Sequence, residues 1–468
     1  MKIKFGTDGW RAIIADDYTF ENVRRVAEGT ADYMKSEGMQ KVVIGYDCRF
    51  QGKTFSELVA GVLGSEGIHV VLSSAGFSST PMVSLAVREL GADLGVVITA
   101  SHNPPSYNGY KLKSRFGGPS IPAEIEAVEQ RIPDKSSVPV LSIDELKSRN
   151  LVEFADLEEL YLNKVRQSFD LEGIRQSGLK IAYDGMYGAG QSAMRKLFPE
   201  STFLRCEFNP SFLGQAPEPI DRNLQELASL IRNNPGKYDV GLANDGDADR
   251  IGMYDEQGNF VDSHHLLLLL LEYLYNYKNV RDKVIVTFSV TDKVRKLAEL
   301  YNLDVEITKI GFKYIAQRMQ EVQVVVAGEE SGGIAVAGHI PERDGIWIGL
   351  VIFEYMAKSG KSLTQLIQDL YKKVGPFTCD RDDLHLEESK KQAILQHLKG
   401  QSVTQFGHYQ VESEENLDGF KYIMPNGDWV MIRPSGTEPV LRVYAQSDNT
   451  EKVRELLQAV HQSLNSIG

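Results

Sequence analysis

The sequence predicts an α/β protein with three similar α/β domains that have mixed sheets around a central cleft, followed by a C-terminal α+β domain. Three observations lead to this prediction. The chain has 468 residues, which at roughly 150 residues per domain corresponds to three or four domains. A pattern of two apolar, β-rich runs separated by helix-like sequence occurs three times. After about Gly375 it gives way to short strand-like runs joined by Asn-Gly and Ser-Gly turns.

Each repeat begins and ends with a strand-like run. The runs are KVVIGYD and ADLGVVITASHNPP, then LKIAYDGMYGAG and YDVGLANDGDADR, then KVIVTFSV and VQVVVAGEESGG. Continuous Val, Ile and Ala bounded by Gly, Pro and Asp are typical of strands buried on both faces of a parallel sheet. We expect domains at residues 1–150, 151–261, 262–375 and 376–468, the last closed by a helix in EKVRELLQAVHQSLNSI.

The composition is that of a globular enzyme, with 42% hydrophobic and 25% charged residues. The longest apolar run, Leu266 to Leu271, is too short to span a bilayer and indicates a buried helix that begins near His264 and His265. The N-terminus lacks the apolar segment of a secretory signal. Three scattered cysteines offer neither a disulfide framework nor a zinc cluster. A net charge of −13 argues against nucleic-acid and membrane partners. We therefore expect a cytoplasmic multidomain enzyme.

Polar loops follow the second strand-like run of each repeat: ASHNPP, NDGDADR and GEESGG. In open α/β sheets, ligands bind beyond the carboxyl ends of the strands. A repeated plan that places an unusual polar loop at the same point three times therefore predicts three domains that face one shared cleft.

The loop NDGDADR supplies three carboxylates at alternate positions, Asp245, Asp247 and Asp249. In an extended loop alternate side chains point the same way, so three hard oxygen ligands can converge on one cation. Mg²⁺ is favoured because it accepts a few carboxylates and completes its shell with water or phosphate oxygen. A plain acidic turn is the alternative. An EF-hand is rejected because that loop needs Gly where Arg250 stands and because its flanks here are strands.

The loop ASHNPP places Ser101 at the junction of a strand and a loop, with His102 beside it. A serine hydroxyl is a poor nucleophile without a base or metal, but it can carry a phosphoryl group. The hydrolase pattern G-x-S-x-G is absent, since Thr99 and Asn103 occupy its glycine positions. An ordinary helix N-cap is the alternative for the serine. Lys111, in NGYKLK, is within reach of the same loop, and a solvated surface lysine is its alternative.

Two further loops carry groups that suit a sugar phosphate. GEESGG offers Glu329, Glu330 and Ser331 on a backbone freed by glycines, and carboxylates beside small donors suit vicinal sugar hydroxyls. RPSGTEP, residues 433–439, combines a guanidinium with two hydroxyls and a glycine-exposed backbone. These groups suit a phosphate monoester because arginine binds its oxygens bidentately. A simple glycine-containing turn is the alternative for both loops.

In order and position, the four loops, the opening FGTDGWR and the stretch PEPIDRNL closely resemble the α-D-phosphohexomutase superfamily, which includes phosphoglucomutase, phosphomannomutase and phosphoglucosamine mutase. The resemblance covers essentially the whole chain, and four motifs in the family order are highly specific. It implies three similar α/β domains and a fourth α+β domain around a central cleft, in agreement with the repeats. It also implies an isomerase of carbohydrate metabolism that uses Mg²⁺ and a hexose 1,6-bisphosphate activator.

The resemblance also implies roles for single residues. Ser101 is implied to be the phosphoserine, whose phosphate shares the Mg²⁺ with Asp245, Asp247 and Asp249. The residues implied in phosphoryl contact or proton transfer are Arg11, Arg250, Lys111 and His102. Those implied in sugar binding are Lys309, Gly311, Glu329 and Ser331, and those implied to hold the non-reacting phosphate are Arg433, Ser435, Gly436 and Thr437. Lys111 qualifies as the general base if its surroundings lower its pKa.

The implied reaction moves a phosphoryl group between O1 and O6 of a hexose through the phosphoserine enzyme and a bisphosphate intermediate. Gly333 stands where many phosphomannomutase/phosphoglucomutase and phosphoglucosamine mutase relatives carry His. We therefore expect phosphoglucomutase, with phosphomannomutase and phosphoglucosamine mutase as alternatives. A phosphatase with an aspartate nucleophile leaves the serine and Arg433 loops unexplained. A non-catalytic sugar-phosphate-binding protein predicts a degraded serine or metal loop, yet both are intact.

Overall fold

The computed structural model describes residues 2–6, 8–400, 402–434 and 440–467. The chain divides into two compact units. The larger unit comprises Met1–Lys283 with Gly311–Leu366, and the smaller unit comprises Val284–Ile310 with Ile367–Gly468. The domain boundaries expected near residues 150, 261 and 375 stay predictions.

The first α/β region contains a seven-stranded mixed sheet. Its strands are β1 (Trp10–Ile13), β2 (Lys41–Tyr46), β3 (His69–Ser73), β4 (Leu94–Ile98), β5 (Tyr107–Ser114), β6 (Gly118–Pro119) and β7 (Val152–Ala155). The strand order is β1-β5-β4-β2-β3-β7, with β6 beside β5. The strands from β4 to β7 in that order are parallel, whereas β5 is antiparallel to β4 and β1. The reversal between β4 and β5 places Ser101 in a loop at the carboxyl edge of the parallel strands.

Five helices accompany this sheet: α1 (Phe20–Ser36), α2 (Gly52–Ser65), α3 (Thr80–Glu89), α4 (Pro122–Glu129) and α5 (Ile143–Ser148). Local sequence explains their starts. The Ser79 side chain accepts the Met82 N–H at the start of α3, and Ser142 and Glu145 form a capping box at α5. Apolar faces of α1 and α2 pack with β2 and β4 in one core, which includes Val26, Val59 and Val96.

The second α/β region contains a five-stranded mixed sheet. In chain order its elements are α6 (Leu157–Ser168), α7 (Leu171–Gln176), β8 (Ile181–Asp184), α8 (Gln191–Leu197), β9 (Thr202–Leu204), α9 (Gln225–Arg232), β10 (Val240–Asn244), β11 (Ile251–Tyr254) and β12 (Phe260–Val261). The strand order is β12-β11-β10-β8-β9. β10 is parallel to β8 and antiparallel to β11, so NDGDADR forms the turn between two adjacent strands.

The third α/β region comprises α10 (Ser263–Asn276), β13 (Lys283–Thr287), α11 (Lys293–Leu300), β14 (Val305–Thr308), α12 (Phe312–Arg318), β15 (Val324–Gly328), β16 (Ile334–Val336), α13 (Gly345–Ser359) and α14 (Leu363–Val374). β13 and β14 are parallel, and β15 and β16 are antiparallel. The six leucines lie in α10 and are fully buried. The helix follows an Asp262 cap, with the two histidines in its first turn, so the prediction of a buried helix is confirmed.

The C-terminal region is α+β. Its elements are β17 (Thr378–His385), α15 (Glu388–Gly400), β18 (Gln405–Phe406), β19 (Tyr409–Gln410), β20 (Ser413–Glu415), β21 (Phe420–Ile423), β22 (Trp429–Pro434), β23 (Val440–Ser447) and α16 (Thr450–Asn465). The main sheet has the order β17-β23-β22-β21-β20 and is antiparallel. Val430, Val443 and Leu456 belong to its core. Three mixed α/β regions and a final α+β region confirm the predicted fold class.

In the described parts of the chain, no helix is both long enough and apolar enough to cross a membrane.

Candidate active site

Three polar loops meet in the larger unit. We call them the serine loop (residues 100–107), the metal loop (residues 245–250) and the sugar loop (residues 329–333). A Cβ atom at Gly246 would lie 2.5 Å from the Ser101 carbonyl oxygen, so only glycine allows the serine and metal loops to come this close. A Cβ atom at Gly332, where φ is +90°, would lie 2.9 Å from the carbonyl oxygen of Ile251, directly after the metal loop.

Ser101 is buried and directed at the metal loop. Its hydroxyl donates to Asp245 Oδ2 at 2.8 Å and lies 3.4 Å from His102 Nδ1. Its φ of 51° is in the left-handed region, where residues other than glycine are uncommon. Residues 100–106 are all described and contain no helix, so the alternative of a helix N-cap is wrong.

The carboxylates of Asp245, Asp247 and Asp249 are fully buried and converge. One oxygen of each lies within 4.8 Å of those of the other two. Among the described residues, the Oδ1 atoms of Asp247 and Asp249 have no hydrogen-bond partner. Burial and the two neighbouring carboxylates raise the pKa of Asp245 well above its ordinary value. Converging carboxylates with unpartnered buried oxygens suit a hard divalent cation, and a solvated acidic turn is excluded by their burial.

Lys111, on β5, is a charge partner of the metal loop. Its Nζ atom is 2.8 Å from Asp247 Oδ2, 3.1 Å from Asp249 Oδ2 and 2.8 Å from Asp8 Oδ2. The side chain is fully buried, so the alternative of a surface lysine is wrong. Burial acts to lower the pKa of Lys111, but the three carboxylates outweigh it and raise the pKa above its ordinary value. Lys111 therefore does not meet the condition under which it qualifies as the general base.

His102 has the opposite electrostatic surroundings. Desolvation, followed by the charges of Arg250, Arg11 and Lys111, lowers its pKa well below the ordinary value. The imidazole is therefore neutral near pH 7, and a neutral imidazole has one nitrogen that can accept a proton. His102 is the better placed of the two predicted proton-transfer residues for that role.

Arg11, beside the serine loop, and Arg250, the last residue of the metal loop, make long ion pairs. Arg11 NH1 donates to Asn103 Oδ1 at 2.8 Å in the serine loop, and its NH2 is 3.8 Å from Asp8. Arg250 NH1 is 3.7 Å from Glu218, in the PEPIDRNL stretch. Both guanidiniums therefore keep hydrogen-bonding capacity for an anion such as a phosphoryl group.

Two residues at this site were not singled out in the sequence. Arg343 NH2 lies 2.7 Å from Asp249 Oδ2 and also pairs with Asp8. Asp8 belongs to the segment FGTDGWR, in which only Arg11 was assigned a role from the sequence. Arg343 directly precedes Asp344, the N-cap of α13. The feature of the sequence that could have indicated Arg343 is a positive charge immediately before the Asp344 cap of an apolar helix.

The sugar loop brings two of the predicted sugar-binding residues together. Glu329 Oε1 accepts the Gly311 N–H at 2.9 Å. Burial, reinforced by Glu330, raises the pKa of Glu329 to about 7. A Cβ atom at Gly333 would lie 2.5 Å from Arg343 Cδ, so the missing side chain at Gly333 leaves the space that Arg343 fills.

In the smaller unit, Asp418 connects two predicted segments. Its Oδ2 atom accepts the Ile310 N–H at 2.9 Å and the Arg433 Nε–H at 3.2 Å. The segment that carries Lys309 therefore adjoins Arg433. The other predicted phosphate-binding residues, Ser435, Gly436 and Thr437, lie outside the described residues.

Four models of one protein family match successive parts of the chain. They describe phosphoglucomutase/phosphomannomutase alpha/beta/alpha domain I at residues 2–138, domain II at 159–258, domain III at 262–374 and the C-terminal domain at 384–463. The chain belongs to the phosphoglucomutase/phosphomannomutase family. Members of this family are mutase isomerases, so the predicted enzyme class, an intramolecular phosphotransferase acting on phosphohexoses, is confirmed.

Relatives of this mutase carry more than one substrate name. A phosphoglucomutase/phosphomannomutase of Thermococcus kodakarensis is 29% identical over 97% of this chain and 96% of its own length. A probable phosphoglucosamine mutase of the same organism is 31% identical over 97% and 96%. A crystal structure from Thermus thermophilus, named "putative phosphomannomutase", superimposes with a TM-score of 0.87, at 30% identity and full coverage of both chains.

Proposed function

We propose that this phosphohexomutase interconverts glucose 1-phosphate and glucose 6-phosphate through a phosphorylated Ser101 and a glucose 1,6-bisphosphate intermediate. The observation that carries the proposal is the 2.8 Å contact between Ser101 Oγ and Asp245 inside a buried cluster of three carboxylates. A serine hydroxyl at a divalent-cation site is placed to carry a phosphoryl group, because the cation offsets the charge of the phosphoryl oxygens.

In the proposed mechanism Asp245, Asp247 and Asp249 hold Mg²⁺. When bound, Mg²⁺ supplies positive charge that offsets the charge on the transferring phosphoryl oxygens. Arg11 and Arg250 bind the remaining phosphoryl oxygens and orient the group for in-line transfer.

Proton transfer falls to His102 and charge compensation to Lys111. The sugar hydroxyl attacks the phosphorus, the bond from phosphorus to Ser101 Oγ breaks, and the hydroxyl proton passes to the neutral imidazole. The 3.4 Å separation of His102 Nδ1 from Ser101 Oγ lets the imidazole return that proton to the serine oxygen. The second half-reaction runs these steps in reverse on the other sugar oxygen.

Substrate recognition is assigned to two groups of residues. Glu329 and Ser331, with Gly311, bind the sugar hydroxyls. Arg433, supported by Asp418, binds the non-reacting phosphate together with Lys309. In the same proposal Ser435, Gly436 and Thr437 complete this phosphate site.

Glucose is the proposed sugar because Gly333 replaces the histidine that the sequence resemblance associates with other substrates. The second candidate is glucosamine 1-phosphate, which is favoured by the 31% identical relative named as a probable phosphoglucosamine mutase. The two sugars differ by one polar substituent at C2, so discrimination between them depends on the hydrogen bonds made at that position.

The test combines a mutase assay with detection of phosphoserine. Purified protein with Mg²⁺ and catalytic hexose 1,6-bisphosphate is assayed on the 1-phosphates of glucose, mannose and glucosamine. We expect the highest kcat/KM for glucose 1-phosphate, and a higher value for another sugar would overturn the specificity.

Mass spectrometry of the same protein should find phosphate on Ser101. Ser101→Ala should remove both this phosphate and most of the mutase activity. Ser106→Ala is the matched control, since this side chain is exposed in the same loop. Near-normal turnover of Ser101→Ala would refute the proposed phosphoserine.

A further inference from the structure

Arg49 is a buried arginine outside all three loops of the site. It follows β2, and its side chain is fully buried. β2 pairs in parallel with β4, so the chain that leaves β2 runs beside the chain that leaves β4. This places Arg49 directly against the serine loop.

The Arg49 guanidinium donates to four backbone carbonyls of the serine loop. NH2 donates to Ser101 O and Asn103 O, both at 2.6 Å. NH1 donates to Pro104 O at 2.9 Å and Tyr107 O at 3.0 Å. Carbonyls that are buried need hydrogen-bond partners, and only the planar fork of an arginine offers four directed donors from one side chain.

A second chain of contacts holds the other side of the Ser101 residue. Asp47 Oδ2 lies 3.4 Å from Arg49 Nε and accepts the Thr99 hydroxyl at 2.5 Å. Thr99 Oγ1 in turn accepts the Ser101 N–H at 2.8 Å. The peptide groups on both sides of Ser101 are therefore fixed, one by Thr99 and the other by Arg49.

This fixation explains a backbone conformation that the residue itself does not favour. Ser101 has a left-handed φ of 51°, which residues other than Gly, Asn and Asp adopt rarely. Such a conformation persists where the surroundings over-determine it. Here it directs Ser101 Oγ towards Asp245.

We infer that Arg49 is a positioning residue of the mutase: through Asp47, Thr99 and the loop carbonyls it holds the serine loop so that Ser101 Oγ points into the metal loop. The inference rests on the proposed role of Ser101 as phosphoryl carrier. Arg49 touches no reacting atom and acts only through the loop.

The decisive variant is Arg49→Lys, which keeps the charge but cannot bind four carbonyls from one nitrogen. A displacement of about 1 Å at a reacting group lowers turnover by about 100-fold. We expect kcat on glucose 1-phosphate to fall by about that factor, with KM within about twofold. Hydrogen–deuterium exchange of the loop amides should accelerate by about tenfold or more in the same variant.

The matched control is Arg25→Lys. Arg25 is equally buried and also donates to a backbone carbonyl, that of Pro133, at 2.6 Å, away from the serine loop. We expect a comparable loss of thermal stability in this variant, with kcat and loop exchange near wild type. An equal fall of kcat in both variants, or unchanged loop exchange in Arg49→Lys, would overturn the inference.

Thr99→Val provides a second variant should Arg49→Lys not fold. It removes one hydroxyl at constant volume, and with it the contact to the Ser101 N–H. Faster loop exchange and a lower kcat support the inference, and wild-type values for both contradict it. Hydrogen–deuterium exchange of the loop can be measured without turnover. If the protein showed neither mutase activity nor phosphoserine, the proposed function would be refuted, and the exchange data would still decide whether Arg49 holds the loop.

Discussion

Replacing Lys111 with methionine should make the stability of the larger unit depend strongly on Mg²⁺. The lysine is a buried cation whose Nζ contacts two of the three carboxylates of the metal loop within 3.1 Å. Methionine keeps the length and apolar volume of the side chain but removes the charge. Among the described residues, Asp247 then has no ion-pair partner until a metal ion binds.

The size of the effect follows from what remains in the variant. Removing one partner of a buried ion pair costs about 3–5 kcal/mol. Arg343 still pairs with Asp8 and Asp249, whereas Asp247 keeps, among the described residues, only the Thr80 hydroxyl, at 2.5 Å, as a side-chain partner. Because one carboxylate rather than three is left without a compensating cation, we expect a loss at the lower end of this range. The free energy of unfolding should fall by about 3 kcal/mol in the absence of Mg²⁺.

Saturating Mg²⁺ should restore the stability that the variant loses. Its stabilising effect should therefore be larger in Lys111→Met than in the wild type. At 100 times its Kd, a ligand stabilises a fold by about 2.7 kcal/mol. Two unit charges 4 Å apart repel by about 4 kcal/mol at an effective dielectric constant of 20. Removing Lys111 relieves such a repulsion between its ammonium group and Mg²⁺. Even a third of this repulsion energy corresponds to an about tenfold tighter binding of Mg²⁺.

The measurement is unfolding by heat and by urea, with EDTA and with saturating Mg²⁺. Lys113→Met is the matched control, because Lys113 is equally buried but pairs with Glu342 at 2.7 Å rather than with the metal loop. We expect both variants to be destabilised in EDTA and only Lys111→Met to show an enlarged Mg²⁺ effect. Equal Mg²⁺ effects in wild type and Lys111→Met would refute the argument that Lys111 and the cation share these carboxylates.

Two predictions concern substrate binding. Burial sets the pKa of Glu329 to about 7, and its carboxylate form is the better acceptor of sugar hydroxyls. We therefore expect kcat/KM to fall about tenfold from its plateau to pH 6. Glu329→Gln should remove this pH dependence. An unchanged pH profile in that variant would show that another group causes it. Arg433→Ala should raise KM by about tenfold or more and lower kcat less, because hydrogen bonds to charged groups contribute about 1.5–3 kcal/mol; a pure kcat defect would contradict this.

The sequence was sufficient to find the polar loops because each follows an apolar strand. Ser101 follows β4 and Asp245 follows β10, so strand periodicity alone indicates that these side chains lie at carboxyl edges of sheets. Alternate spacing also predicted that the three aspartates converge, and their oxygens do lie within 4.8 Å. Local pattern is therefore informative wherever one short segment supplies the whole feature.

Contacts between distant segments could not be predicted in this way. Asp8 and Arg343 pair across 335 positions of the chain, and Lys111 meets Asp247 across 136. Periodicity contains no information about which segments adjoin in space. For this reason the sequence could not decide whether Lys111 meets the condition for a general base, since its pKa depends on carboxylates that only the folded chain brings near.

The geometry of its cations explains how a chain with a net charge of −13 can recognise phosphate. Lys111 and Arg343 are nearly or fully buried and lie within 2.8 Å of carboxylates, so their charge is already compensated inside the site. Arg11 and Arg250 are 20% and 14% exposed, and their ion pairs with carboxylates among the described residues are 3.8 and 3.7 Å long. Long, partly solvated pairs contribute little, and a dianionic phosphoryl group can replace them at small cost. These two arginines therefore keep positive charge available for a phosphoryl group beside the serine, whatever the net charge of the chain.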